Sequence, residues 1–186
     1  MTVQEIPFTL KDGRKAVIRS PRDEDIPGML EFLRASAGET DFLLRCPEEC
    51  DQYTAEGQKA LFDRVNSSEN ETMLVCIAEG KLAGSCTIRW QKALKIRHRA
   101  YIVIALLKEF WNQGIGTKLF EEMLRIAREN PNIIQAELGF VEGNSRARAL
   151  YEKMGFRIVG LNPNAFRMRD GTLRHEYTMI KEIRHE

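Results

Sequence analysis

Apolar and polar residues alternate through Lys15-Ala16-Val17-Ile18-Arg19, the two-residue rhythm of a strand with one buried face. After Ser20-Pro21-Arg22-Asp23-Glu24-Asp25, which supplies a helix start with acidic residues in its first turn, Ile26, Met29, Leu30 and Leu33 recur at helical spacing. This first helix is expected to fade near Ala37-Gly38. The stretch from Glu39 to Tyr53 has no period and reads as an irregular acidic segment. It ends where Thr54, three residues before Gly57, offers an N-cap for a second helix marked by Leu61, Phe62 and Val65.

The rhythm then returns to that of strands. Thr72 to Ala78 and Leu82 to Trp90 are rich in strand formers, and Glu79-Gly80-Lys81 between them predicts a hairpin. The unbroken apolar run within Ala100 to Leu107 predicts a strand buried on both faces near the sheet centre. Beyond it Ile115, Leu119, Phe120, Met123, Leu124 and Ala127 form one helical stripe, with Lys118, Glu121, Glu122, Arg125 and Arg128 on the wet side. Asn130-Pro131 stops that helix, and Ile133 to Val141 follows as a strand. Asn144-Ser145 caps a further helix lined by Ala147, Leu150, Tyr151 and Met154 and closed by Gly155. Strands over Phe156 to Leu161 and Arg174 to Ile183 complete a mixed α/β domain without repeats.

Composition narrows this picture. With 186 residues and 43% hydrophobic content the chain suits a single domain over 1–186. Lys plus Arg (28) almost cancels Asp plus Glu (27), so no global field favours nucleic acid or an anionic membrane. No signal-peptide pattern opens the sequence and no apolar run has the length of a membrane span, which predicts a cytoplasmic protein. Cys46 and Cys50 lack a convincing zinc or disulfide spacing, Cys76 and Cys86 fall inside strand-like segments, and His98, His175 and His185 are scattered. All four thiols are expected to be reduced, and no metal site is expected.

The chemistry concentrates in the turn between the long apolar strand and the helix, Trp111-Asn112-Gln113-Gly114-Ile115-Gly116-Thr117. Gly114 and Gly116 remove side chains that would hold a ligand away from the backbone, and a helix start aims unpaired N–H groups at the same point. The turn therefore either binds phosphate or simply reverses the chain. A dinucleotide oxidoreductase fits poorly, because the third glycine position holds Leu119 and the early hairpin is wrong for a doubly wound sheet.

Together with Asn144-Ser145-Arg146-Ala147-Arg148-Ala149-Leu150-Tyr151-Glu152-Lys153-Met154-Gly155-Phe156, the turn resembles the GCN5-related N-acetyltransferases, with both blocks in the expected order. The resemblance spans the elements from Ala16 to Ile183. It implies the acyl-CoA N-acyltransferase fold, a mixed and mostly antiparallel central sheet flanked by helices, and acetyl-CoA as co-substrate. It implies that the backbone of Gln113, Gly114, Ile115, Gly116 and Thr117 cradles the pyrophosphate. The pantetheine arm is then expected to pair with Leu106 and Leu107, where the strand splays from its neighbour. Asn144 matches an asparagine that contacts the cofactor, a role compatible with N-capping. Tyr151 matches the tyrosine that protonates the departing thiolate, although its place on the apolar stripe equally suits a core residue. The family usually has Arg or Gln where this chain has Trp111, which is either a neighbour of the cofactor or a packed aromatic.

The implied reaction is direct attack by a neutral amine of a small molecule or a peptide N-terminus, the oxyanion being met by a backbone N–H near Leu106. Many relatives place a glutamate base where this chain has Tyr101. A water chain, a carboxylate such as Glu137, or an amine of low pKa are the alternatives. Glu39, Asp41, Glu48, Glu49 and Asp51, beside Phe42, Leu43 and Leu44, form either a solvated loop or a wall for a cationic amine. Family habit and the apolar content from Phe156 through Tyr177 to Ile180 lead to the expectation of a homodimer. The alternative to an enzyme is a non-catalytic protein that binds acetyl-CoA as a sensor or structural ligand.

Overall fold

The computed structural model describes residues 2–184. Eight strands form a mostly antiparallel sheet in the order β1-β2-β3-β4-β5-β6-β8-β7, flanked by helices. The chain divides into two compact units, one reaching Arg89 and joined by Val103–Leu119, the other formed by Trp90–Ile102 and the residues from Phe120 onward.

In the first unit β1 (Ile6–Thr9), β2 (Lys15–Arg19), β3 (Glu71–Ala78) and β4 (Lys81–Trp90, to Arg89 in this unit) pair antiparallel in sequence order. The β3–β4 turn is built by two left-handed residues, Glu79 (φ 48°) and Gly80 (φ 81°), whose twist suits a two-residue hairpin. Helices α1 (Ile26–Glu39) and α2 (Ala55–Ser67) bury Met29, Phe32, Phe62 and Val65, and Ile18, Leu74, Cys76, Ala83 and Ile88 of the strands belong to the buried core as well. Burial of each large side chain stabilises this core by about 1.5–3 kcal/mol. The expected cap is present, with the Thr54 hydroxyl accepting the Gly57 amide at 3.1 Å. The α1 stripe is rotated from expectation. Phe32, Ser36 and Ala37 are buried with Met29, while Leu30 and Leu33 are only half-buried.

Two departures follow from tertiary context. Strand β1 did not figure among the predicted strands; its Pro7 lacks a backbone donor, which a terminal strand of the sheet tolerates. The acidic segment is also less irregular than expected, since Pro47–Gln52 forms a 3₁₀ helix that buries Cys50 and is capped by Glu49 accepting the Cys46 amide at 2.8 Å.

In the second unit the start of β5 (Arg99–Leu106) runs parallel to β6 (Gln135–Val141), which pairs antiparallel with β8 (Leu173–Glu182), itself paired with β7 (Arg157–Arg167). Helix α3 (Ile115–Glu129) buries its predicted stripe completely, and from Phe120 on that stripe lies in this unit with Leu138, Phe140, Phe156 and Met179. Helix α4 (Ser145–Lys153) ends at Gly155, whose φ of 85° is the left-handed stop its glycine permits.

The thiols match their surroundings. Cys76 and Cys86 are buried, and burial pushes the Cys76 thiol up to about 12 and the Cys86 thiol up as well. All four cysteines are free.

Candidate active site

The glycine turn is the C-terminal end of the first unit's share of the chain. Asn112 (φ 63°) and Gly114 (φ 92°) are both left-handed, which swings the backbone sharply into α3. A side chain at Gly114 would meet nothing within 4 Å, so the backbone is approachable from that direction. The first helical bond runs from the Lys118 amide to the Gly114 carbonyl at 3.0 Å. The amides of Ile115, Gly116 and Thr117 thus precede the ladder and carry the positive end of the helix dipole. Gln113 fixes the turn from behind. Its carbonyl accepts the Lys11 amide at 3.4 Å and its side-chain oxygen the Asp12 amide at 3.1 Å.

The strand leading into the turn was expected to be buried on both faces, and it is not. Val103 is 53% exposed, and Ile104, Ala105 and Leu106 are only half-buried. An apolar run records what a strand can cover, not that the protein itself covers it. Leu107 is buried, and its amide donates to the Ala83 carbonyl at 3.0 Å. Successive strand amides point to opposite edges, so the Leu106 amide faces away from β4. Gly84 lets this strand come close, since a Cβ there would overlap the Leu106 side chain. Trp111 donates its indole N–H to the Leu106 carbonyl at 3.1 Å.

The short 3₁₀ turn Lys108–Phe110 between strand and glycine turn is braced by charged groups. Glu39 accepts the Lys108 amide at 2.6 Å, Lys81 pairs with Glu109, and the Arg14 guanidinium lies 4.7 Å above the Phe110 ring. Glu39, Glu49 and Asp51, the last paired with Arg34 at 2.7 Å, therefore all have structural partners.

In the second unit the Asn144 side-chain oxygen accepts the Ala147 amide at 3.1 Å, the expected N-cap. The cap uses only the amide oxygen, so the NH₂ group is the part suited to a ligand. Tyr151 is 7% exposed, and its ring packs edge-on against Phe120, Phe140 and Phe156 with centroids 5.5, 5.9 and 6.5 Å away. The Tyr101 hydroxyl, at the position where the resemblance led to the expectation of a base, lies over Gly139.

Glu137 is a poor base. Burial alone would raise its pKa, but hydrogen bonds from Arg99 and from Gln135 at 2.5 Å outweigh burial and hold the carboxyl below its ordinary value. The pairing with Arg99 and Gln135 is invisible in periodicity, because it depends on the parallel register that sets Arg99 opposite Gln135 and Tyr101 opposite Glu137. Among the described residues no group of three or more His, Cys, Asp or Glu is placed to hold a metal. His175 is engaged by the Asn164 amide at 3.0 Å, and His185 lies outside the described residues. Among the described residues no helix is long and apolar enough to cross a membrane.

Comparison with known proteins gives this arrangement its class. The sequence model of the Acetyltransferase (GNAT) family matches residues 40–156, so the chain belongs to the GNAT acetyltransferase family. The fold is similar to that of a GNAT-family acetyltransferase from Streptococcus pneumoniae, with 28% identity and a TM-score of 0.84 over 90% of this chain and 99% of that one. It is also similar to a phosphinothricin acetyltransferase from Sinorhizobium meliloti in complex with acetyl-CoA, at 18% identity and a TM-score of 0.76 over 90% and 88% of the two chains. A ribosomal-protein-alanine N-acetyltransferase from Brucella melitensis shares 21% identity and a TM-score of 0.76 over 89% and 98%. The last two likenesses are of fold.

Proposed function

We propose that this protein is an N-acetyltransferase, working in the cytoplasm and as a homodimer, that moves the acetyl group of acetyl-CoA directly to a primary amine of a small molecule or a peptide N-terminus. The observation that carries the reading is the left-handed Gly114 at an approachable turn that opens α3. A phosphate there meets backbone donors and a helix dipole without displacing a side chain. The residues present fit acetyl-CoA on a second count. The uncovered side of β5 from Val103 to Leu106 offers apolar surface for a pantetheine arm.

Acetyl-CoA supplies the activated thioester; the roles assigned to the protein are to hold it, meet the oxyanion and move two protons. Amides of Gln113 to Thr117 bind the pyrophosphate, and the NH₂ group of Asn144 adds a cofactor contact. The Leu106 amide, aimed away from β4, is the donor assigned to the oxyanion. Tyr151 donates its phenolic proton to the leaving thiolate.

The competing reading, an acetyl-CoA-binding sensor without turnover, draws on the absence of a carboxylate at Tyr101 and on the commitment of Glu137 to Arg99. Two measurements separate them. Calorimetry with acetyl-CoA detects binding under either reading. Amine-dependent thiol release, followed across polyamines, amino sugars, amino acids and peptide N-termini, occurs only for the enzyme. Binding without release from any amine would leave the sensor.

A further inference from the structure

Direct acetyl transfer needs a base, and the sheet of the second unit holds a carboxylate beside Tyr101. Three strands converge there. Tyr101 on β5 is opposite Glu137 on β6, Gly139 follows two residues later on the same face, and Glu176 on β8 is opposite Val141, one diagonal step from Gly139. At Gly139 a Cβ would stand 2.5 Å from Glu176 Oε1 and 3.1 Å from the Tyr101 hydroxyl. The bare Cα of this glycine is thus what lets the carboxylate and the phenol lie together. Neither atom is deeply enclosed, since Glu176 and Tyr101 are both half-buried. Among the described residues no salt bridge engages Glu176, whereas Arg99 grips Glu137.

Resting on the proposed acetyl transfer, we infer that Glu176 is the general base of the reaction and that the Tyr101 hydroxyl positions it. The amine lone pair forms a bond to the thioester carbonyl carbon. Glu176 frees that lone pair beforehand by taking one proton from the ammonium form. After attack the carbon–sulfur bond breaks, the Tyr151 phenol protonates the sulfur, and the second N–H proton passes through solvent to restore the phenol, so thioester and ammonium become amide, thiol and one released proton. The charged and titratable groups facing Glu176 are Tyr101 from β5, Glu137 from β6 and Arg174 two residues before it on β8; β7 sets Asn162 opposite it.

The test is Glu176→Gln in the full-length protein, with Gly139→Ala as a second variant that keeps both groups but drives the carboxylate aside. Acetyl-CoA affinity by calorimetry is expected to be unchanged, and the melting temperature to stay within about 4 °C. With alkylamines from the panel, which are protonated near neutral pH, kcat/KM should fall by about 10² to 10⁴. With 4-methoxyaniline, which is neutral there, the loss should be under about tenfold, because no proton need be removed before attack. A readout independent of turnover is the tyrosinate absorbance, with Tyr101→Phe as the reference. Loss of the neighbouring negative charge should lower the pH at which Tyr101 ionises. If the unmodified protein turns amines over and Glu176→Gln keeps full alkylamine activity, this assignment is overturned while the acetyl transfer stands. If the unmodified protein releases thiol with no amine, both fall.

Discussion

The Trp111 indole N–H donates to the Leu106 carbonyl at 3.1 Å, joining the residue before the glycine turn to the end of the strand that precedes it. An arginine or glutamine here could reach toward a pyrophosphate; the tryptophan instead ties strand end to turn. Trp111→Phe keeps most of the ring area but leaves the carbonyl without this donor, at a cost of about 1–3 kcal/mol. Urea unfolding should show that loss, with acetyl-CoA affinity less affected than stability. An unaltered unfolding midpoint would deny the bond its bracing role.

The two glycines of the turn call for different variants. Gly114 has a φ of 92°, so any side chain there strains the backbone by about 1–3 kcal/mol and weakens folding together with binding. Gly116 lies in the first turn of α3, where alanine is a better helix former. Gly116→Ala should leave the melting temperature level or higher and still weaken acetyl-CoA binding at least about tenfold, since a methyl group enters the proposed cradle. Equal affinity by titration would remove the turn from the cofactor site.

Tyr151 separates chemistry from packing. Its ring touches Phe120, Phe140 and Phe156, so Tyr151→Phe preserves the aromatic cluster while removing the proton donor. Turnover should drop by about 10² to 10⁴, with little change in acetyl-CoA affinity or melting temperature. Full turnover of the Phe variant with an amine substrate would assign Tyr151 to the core alone.

Glu137 sets a pH dependence of stability. Despite the opposing effect of burial, its pKa is lowered in the folded protein by Arg99 and Gln135. A depressed carboxylate contributes stability above the unfolded-state value, about 4.3, and loses it as the pH falls through the folded value. Glu137→Gln should therefore be less stable than the parent at pH 7, with the gap narrowing in acid below about pH 4.3. Parallel denaturation midpoints across pH 3 to 7 would contradict the ion pair's contribution.

What the sequence determined by itself is what short-range geometry controls. The α3 stripe from Ile115 to Ala127 is fully buried as its spacing demands, because a helix fixes the direction of each side chain within a few residues. The caps at Thr54 and Asn144, the Glu79-Gly80 hairpin and the Gly155 stop are likewise local, each satisfied by partners three or four residues away. The turn and the Asn144 to Phe156 block were enough to identify the GNAT resemblance that the family match bears out.

Tertiary structure decided what depends on distant neighbours. Periodicity shows which face of β5 is apolar but not whether protein atoms cover it, and Val103 is left open. Strand β1, which carries Pro7, is recognisable only once it is seen to be a sheet edge. Arg99 meets Glu137, and Glu176 and Tyr101 both come to lie over Gly139, only because strands remote in sequence pair in one register and no other. A shift of one residue would turn each of these side chains to the opposite face, and nothing in a local window specifies that register.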